Sequence, residues 1–328
     1  MSPLDVLGIA PITQDMERVE AALSGSVRSE DPFLSDVAGH LVSAGGKRLR
    51  PALSLCATYA AKGIGSVSDD AITGGVSVEL VHLGSLYHDD VIDEAETRRG
   101  VPSVNARWSN IVAILAGDYL LARASSLAAS LGADVAALLA ATIGELCRGQ
   151  VLELQHLFDP DRSADAYISA ISGKTASLFG TACRVGGMVS AVDDPTLDAL
   201  TEFGRHLGMC FQIVDDVLDV TGTDESLGKP AGNDILEGVY TLPVIHALAS
   251  SSPSSEELRE LLGRKIDRSQ LDRARALVAA TDAVDASIDT ARSHAADASA
   301  VLASTTSLDA EVTDGMIRLV DTLVTRQF

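Results

Sequence analysis

The chain has 328 residues and a net charge of −21, from 25 basic and 46 acidic residues. That balance excludes a nucleic-acid binder, which needs a basic face, while the length allows a large buried core. With 4% aromatic residues and abundant alanine and leucine, the composition favours helices over sheets.

The first residues have neither a basic n-region nor an apolar h-region, so no signal peptide is expected. The best apolar run, Ile111 to Leu121, contains Asp118 and is too short to span a bilayer, leaving at most peripheral membrane contact. Cys56, Cys147, Cys183 and Cys210 are far apart with no C-x-x-C. They read as buried small hydrophobes in a reducing cytoplasm.

In chain order, residues 1 to about 10 read as a lead-in. Ile12, Met16, Val19 and Leu23 then recur at helical spacing. Asp31-Pro32 starts a helix expected to end near Ser43. Gly45-Gly46 breaks it, and Lys47-Arg-Leu-Arg50 follows before Pro51 opens another helix. Lys47 and Arg50, three apart, can converge on one anion; a solvated basic turn is the plainer alternative. From about Asp69 an apolar helix runs into Leu86-Tyr-His-Asp-Asp-Val-Ile-Asp-Glu-Ala-Glu-Thr-Arg-Arg-Gly100. Asp89, Asp90 and Asp93 form a D-D-x-x-D cluster there, with neighbours on one helical face. Such carboxylates repel one another unless a cation lies between them, and hard oxygen ligands suit Mg²⁺ shared with substrate phosphates. Arg98 and Arg99 follow, and arginine forks onto phosphate oxygens.

A long apolar helix is expected from about Ser103 to Leu131. Another, from about Asp134 to Phe158, carries Glu145, Arg148, Gln150, Glu153 and Gln155, read mostly as a solvated face. Gly173-Lys-Thr175 interrupts helical patterning between Tyr167 and Val189. It lacks the upstream glycine and strand of a P-loop. Asp194-Pro195 caps a helix that ends in Gln212-Ile-Val-Asp-Asp-Val-Leu-Asp219, a second D-D-x-x-D. One such cluster is as easily a solvated acidic helix end. Two, on apolar helices with basic residues after each, read as a matched pair. Thr221 to Gly238 is a long glycine-rich loop carrying Lys229. Ser254-x-x-Glu257 reads as a capping box, and residues 267 to 328 as amphipathic scaffold.

These motifs resemble the trans-isoprenyl diphosphate synthases, also called polyprenyl synthetases. The resemblance rests on Gly45-Gly-Lys-Arg-Leu-Arg-Pro51, the first aspartate motif with its Arg-Arg-Gly, Gly173-Lys-Thr175, the second aspartate motif, and Gly228-Lys-Pro-Ala-Gly-Asn-Asp234. It covers about residues 40 to 245. It implies an all-α fold: a single domain, residues 1–328, of ten or more helices around a deep central cavity, with the aspartate motifs facing across its mouth. The implied reaction is Mg²⁺-dependent, head-to-tail (1′-4) addition of isopentenyl diphosphate to an allylic diphosphate. By resemblance, Asp89, Asp93 and Asp215 hold the metal, three ions in the family, and Asp90, Asp216 and Asp219 complete the acidic set. Lys47, Arg50, His82 and Arg99 hold isopentenyl diphosphate. Arg98, Lys174 and Lys229 face the allylic diphosphate, and Thr175 with Gln212 stabilises the carbocation.

One departure stands out. The family often reads E-G-K-x-T-L-P where this chain has Glu237-Gly-Val-Tyr-Thr-Leu-Pro243, and Val239 cannot contact phosphate. The family is usually homodimeric. Class I terpene cyclases share D-D-x-x-D, but their N-D-x-x-S-x-x-x-E type of second motif is absent. Non-catalytic subunits of heteromeric synthases tend to lose aspartates, and both motifs here are intact.

Product length is read from the helix entering Asp89. Ser85 and Gly84 lie about one turn deeper, roughly 5.4 Å, where short-chain members carry a bulky aromatic. Val81 lies a turn further, and Leu86 and Tyr87 turn away from this face. The expected product is C30 or longer, about C40, rather than C15 (farnesyl) or C20 (geranylgeranyl). The alternative is that Gly84 and Ser85 only allow close helix packing.

Overall fold

Capping chemistry sets where the helices begin. The structure, a computed structural model, describes residues 3–223 and 231–325. Its helices in chain order are α1 (Pro3–Leu7), α2 (Ile12–Ser26), α3 (Pro32–Ser43), α4 (Leu49–Lys62), α5 (Asp69–Ile92), α6 (Val104–Arg107), α7 (Asn110–Ser130), α8 (Ala133–Leu154), α9 (Ala164–Ile171), α10 (Ser177–Val189) and α11 (Asp194–Thr221). Six more follow: Asn233–Glu237, Leu242–Ala249, Pro253–Leu261, Arg268–Ala279, Ala283–Ser304 and Ala310–Val324. The fold is all-α, as expected. Asp31 caps α3 by accepting from the Phe33 and Leu34 N–H groups, and Ser68 caps α5. Two caps differ from the sequence reading. Asp193, rather than Asp194, accepts from the Thr196 N–H at 3.2 Å, and Ser252, rather than Ser254, caps Pro253–Leu261. The capping box lies instead at Asp267 and Gln270. A cap must precede the first helical residue, and proline takes the first or second position.

The expected helix from Ser103 to Leu131 is two. Ser109 turns its side chain onto the Val112 N–H and starts α7 anew, a local bond that competes with helix continuation. Trp108, at the break, packs edge-on to His40 of α3 at 5.2 Å. Before it, β1 (Thr97–Arg98) and β2 (Val101–Pro102) pair antiparallel, Arg98 opposite Val101. Arg99 (φ 54°) and Gly100 (φ 77°) form the two-residue turn, both with the positive φ that a type I′ hairpin requires.

The described residues group into two compact units. The first comprises Met1–Ile143, Leu178–Gly204 and Val301–Leu319. At its centre α5 is apolar nearly all round, the mark of a fully buried helix, and packs extensively on α7 as well as on α4 and α2. The second unit comprises Gly144–Ser177, Arg205–Ala300 and Val320–Phe328. Its core gathers Val220, Ile235, Tyr240, Val244, Leu258 and Leu271.

Two other readings change. Alanines and serines extend the apolar run, so α7 and α8 are each long and apolar enough, by length and composition, to cross a membrane. On α7, Ile111, Ile114 and Leu115 are exposed. Cys56, Cys183 and Cys210 are buried and free as expected, but Cys147 is exposed.

Candidate active site

In the first unit, α5 delivers Asp89, Asp90 and Asp93 on its last turn. Glu94, at φ 51°, ends the helix in the left-handed region, and the Ala95 N–H returns to the Asp90 carbonyl at 2.9 Å. Asp89 is half-buried, Asp93 is exposed, and Asp90 is fully buried. Arg98 Nε and Nη2 both donate to Asp90 Oδ1, at 2.7 and 2.6 Å. Burial pushes the Asp90 carboxyl up and Arg98 pulls it back. Asp90 Oδ2 is buried with no hydrogen-bond partner among the described residues. An all-carboxylate set with an unmet oxygen fits a hard divalent cation. Arg98, expected on substrate, is thus first a partner of Asp90.

A cationic cluster lies in the same unit. α4 begins at Leu49, after Arg48 in the left-handed region at φ 46°. The spacing from Lys47 to Arg50 is therefore not helical, and Lys47 is exposed. Arg48, which the sequence reading passed over, is buried and pairs with Glu20 at 2.6 Å and Glu79 at 2.9 Å. Arg50 lies 4.6 Å over the Phe179 ring, with Nε buried and unmatched among the described residues. Burial lowers it to about 10, against Glu79, with Arg99 lowering it further. Arg99 Nη1 donates to the Gly45 and Leu41 carbonyls. A β-carbon at Gly46 would stand 2.8 Å from the Arg99 guanidinium carbon, so that glycine makes room for the arginine. His82 is held well below the usual imidazole range, first by burial, then by Arg50 and Arg99. With Glu20 and Glu79 both paired to Arg48, the excess positive charge rests on Arg50 and Arg99. This is the electrostatics of an anion site.

In the second unit, Gly173-Lys-Thr175 forms a π-helical turn, Ser172–Ala176, joining α9 to α10 without leaving the helix. Such turns redirect side chains at functional sites. Glycines permit the close approach behind it: a β-carbon at Gly149 of α8 would collide with the Lys174 backbone nitrogen. Thr175 Oγ1 donates to Gln212 Oε1 at 2.7 Å, and Gln212 Nε2 donates to Asp216 Oδ1 at 2.8 Å. Tyr167 Oη donates to Asp216 Oδ2 at 2.6 Å. Asp216 is buried, and burial pushes its carboxyl up to about 7. Both its oxygens are engaged, so it positions Gln212, while Asp215 is exposed. Asp219 is buried and anchors the returning chain: its carbonyl accepts from the Gly232 N–H at 2.8 Å and its Oδ2 from the Asp234 N–H at 3.3 Å. Lys229 lies outside the described residues. The segment read as a loop to Gly238 contains the helix Asn233–Glu237, and Val239 is half-buried behind it.

Sequence reasoning missed several partners. Glu153 pairs with Lys174 and Glu145 with Arg205 at 2.9 Å, so they are not simply solvated. Glu153 stands four residues after Gly149, and a helix face holding a glycine and a glutamate one turn apart was the available signal. Tyr167 offered none beyond its apolar phase. Among the product-length residues, Val81 is buried and Ser85 half-buried, its Oγ donating to the His82 carbonyl at 2.9 Å. Gly84 serves close packing: a β-carbon there would stand 3.1 Å from the Gly117 carbonyl oxygen and from Leu121 Cγ of α7. Tyr87 turns away, as expected, and donates to the Val37 carbonyl at 2.7 Å.

A family profile described as Polyprenyl synthetase matches residues 31–279. The chain is 41% identical over 265 residues to a nonaprenyl diphosphate synthase of Mycobacterium tuberculosis, covering 80% of this chain and 78% of that one. It is 37% identical over 279 residues to heptaprenyl diphosphate synthase component 2 of Bacillus subtilis, covering 84% and 78%. Among solved structures it resembles a polyprenyl synthase from Caulobacter crescentus CB15, crystallised with calcium and isoprenyl diphosphate. There the TM-score is 0.91 at 34% identity, over 99% of this chain and 98% of that one.

Proposed function

Since the chain belongs to the polyprenyl synthetase family, and so is a prenyltransferase, we propose that it makes an all-trans polyprenyl diphosphate of C30 or longer, about C40. It does so by adding isopentenyl diphosphate head-to-tail to an allylic diphosphate. The observation that carries the condensing reaction is the Arg50–Arg99 cluster with His82, distinct from the carboxylates. A condensation holds two diphosphates, whereas a cyclase holds one.

On this reading Arg50, Arg99 and His82, with Lys47 at the entrance, bind isopentenyl diphosphate. Asp89, Asp93 and Asp215 would hold Mg²⁺, three ions as in the family, with Asp90, Asp216 and Asp219 supporting them. Bound there, the metal would neutralise the allylic diphosphate and stabilise its departure. Lys174, Lys229 and the free edge of Arg98 add positive charge to the same leaving group. The amide of Gln212 is oriented by Asp216, so its Oε1 accepts the hydrogen bond from the Thr175 hydroxyl. The Thr175 oxygen then presents lone pairs to the allylic cation as the C1–O bond breaks. C4 of isopentenyl diphosphate forms the new bond at C1, and a proton leaves C2 for the released diphosphate. Both motifs serve this one reaction, and the chain works as a single isoprenoid-synthase domain. Val239 supplies no charge, so the allylic diphosphate depends on Arg98, Lys174 and Lys229. The growing chain passes Ser85 on the α5 face, while Gly84 lets α5 and α7 approach.

We further propose a homodimer, supported by the exposed Ile111, Ile114 and Leu115 on one face of α7, and a cytoplasmic location, supported by the four free cysteines. The test is incubation of the purified chain with Mg²⁺, radiolabelled isopentenyl diphosphate and each allylic starter, followed by product sizing. Products stopping at C15 or C20 with isopentenyl diphosphate in excess would refute the chain length. No product without an added protein would favour a partner-dependent subunit. Ser85→Phe should shift products toward C15–C20 while sparing the first condensation.

A further inference from the structure

On α11, nine residues before Asp215 and about 13 Å along the axis, His206 meets His294 of the helix Ala283–Ser304. Their Nδ1 atoms are 3.1 Å apart, and the rings are tilted by 41° with centroids 5.4 Å apart. Asp297, three residues after His294 and on its face of the helix, brings Oδ2 to 3.9 Å from His206 Nδ1. One ligand atom from each of the three lies within 4.8 Å of the others.

We propose that His206, His294 and Asp297 form a second, transition-metal site of Zn²⁺ type, separate from the carboxylates of the aspartate motifs. Ligand atoms about 2.0–2.1 Å from a tetrahedral ion stand roughly 3.3 Å from one another. The observed 3.1 and 3.9 Å bracket that spacing. Asp297 is the most exposed of the three, with 57% of its side chain open, and can close the longer distance by rotation. In the free chain one ring donates N–H to the other. Metal binding moves that proton to Nε2 and turns both Nδ1 atoms inward. Two imidazoles and one carboxylate prefer Zn²⁺ over Mg²⁺ or Ca²⁺, and three protein ligands leave a fourth position for water. The ion would tie the helix Ala283–Ser304 to α11, upstream of the second aspartate motif.

The test uses the full chain, stripped with chelator and then held in excess Mg²⁺ so that the carboxylates are occupied by the hard ion. Calorimetric titration with Zn²⁺ should show one site per chain. His206→Gln or His294→Gln should weaken it at least about tenfold, and Asp297→Asn should weaken it less. Zn²⁺ should raise the wild-type melting temperature and leave the two histidine variants unmoved. Their Mg²⁺-supported turnover without zinc should match wild type. Imidazole ¹⁵N spectra of the unmutated chain serve if a variant misfolds: zinc should shift Nδ1 of both rings. Equal zinc affinity in wild type and histidine variants, or unshifted Nδ1 signals at saturating zinc, would overturn the site.

Discussion

The two D-D-x-x-D motifs are nearly the same in sequence, yet their middle aspartates live in different surroundings. Asp90 is buried against a cation, with Arg98 donating twice to one of its oxygens. Asp216 is buried against neutral donors, Tyr167 on one oxygen and Gln212 on the other. The Arg98 guanidinium opposes the burial that raises Asp90. No cation ranks among the main influences on Asp216, whose carboxyl rises to about 7. The lesson is that a repeated motif repeats its outward-facing chemistry, here Asp89 with Asp93 and Asp215, while its supports are supplied locally. In one unit the support is a hairpin arginine. In the other it is a hydrogen-bonded chain that also sets the amide of Gln212.

The largest effects should be the same for both motifs. Asp89→Ala and Asp215→Ala are each expected to lower turnover at least about a hundred- to a thousandfold, the loss seen when one stabiliser of developing charge is removed. Near-normal turnover in either variant would show that only one motif is functional. Next, the Arg50 and Lys174 sites should separate by substrate. Arg50→Ala should raise the KM for isopentenyl diphosphate about tenfold or more, as for a lost charged hydrogen bond, with little change for the allylic partner. Lys174→Ala should do the reverse. Equal shifts in both constants would break the assignment.

The supports can then be compared by urea unfolding. Arg98→Leu leaves the buried Asp90 carboxylate unmatched and should cost about 1–3 kcal/mol, whereas Tyr167→Phe removes a neutral donor and should cost about 1 kcal/mol. Equal losses would erase the distinction drawn between the two motifs. The smallest effect is a pH slope. A carboxyl whose pKa is raised from 3.8 to about 7 on folding holds its proton more tightly in the folded chain. Its contribution is full below 3.8 and is lost as pH rises through about 7, so stability of the metal-free protein should fall across that window. Asp216→Asn should flatten the slope measured in chelator; an unchanged slope would mean that another group carries it.

Much of this was legible in the chain. Asp31-Pro32 and the apolar phase of α2 set local structure by rules acting within a turn or two, and the structure follows them. The break at Ser109 and the hairpin at Arg99-Gly100 were harder to read. Both lean on distant partners: His40 packs on Trp108 beside the break, and the Gly45 and Leu41 carbonyls hold Arg99 in the turn.

The order and spacing of Gly45-Gly46, the two aspartate motifs and Gly173-Lys-Thr175 determined the fold class and the family, because those residues answer to substrate chemistry and backbone geometry that any such chain must meet. Tertiary structure alone decided which charges were spent internally. Arg48 neutralises Glu20 and Glu79, Arg98 matches Asp90, and Glu153 meets Lys174, whereas Arg50 is left with a buried Nε that is unmatched among the described residues. The physical reason is range. Helical period and capping act over a few residues, but a buried charge is settled by whichever partner packing brings within about 3 Å, and for Arg48 that partner is Glu79, 31 residues away.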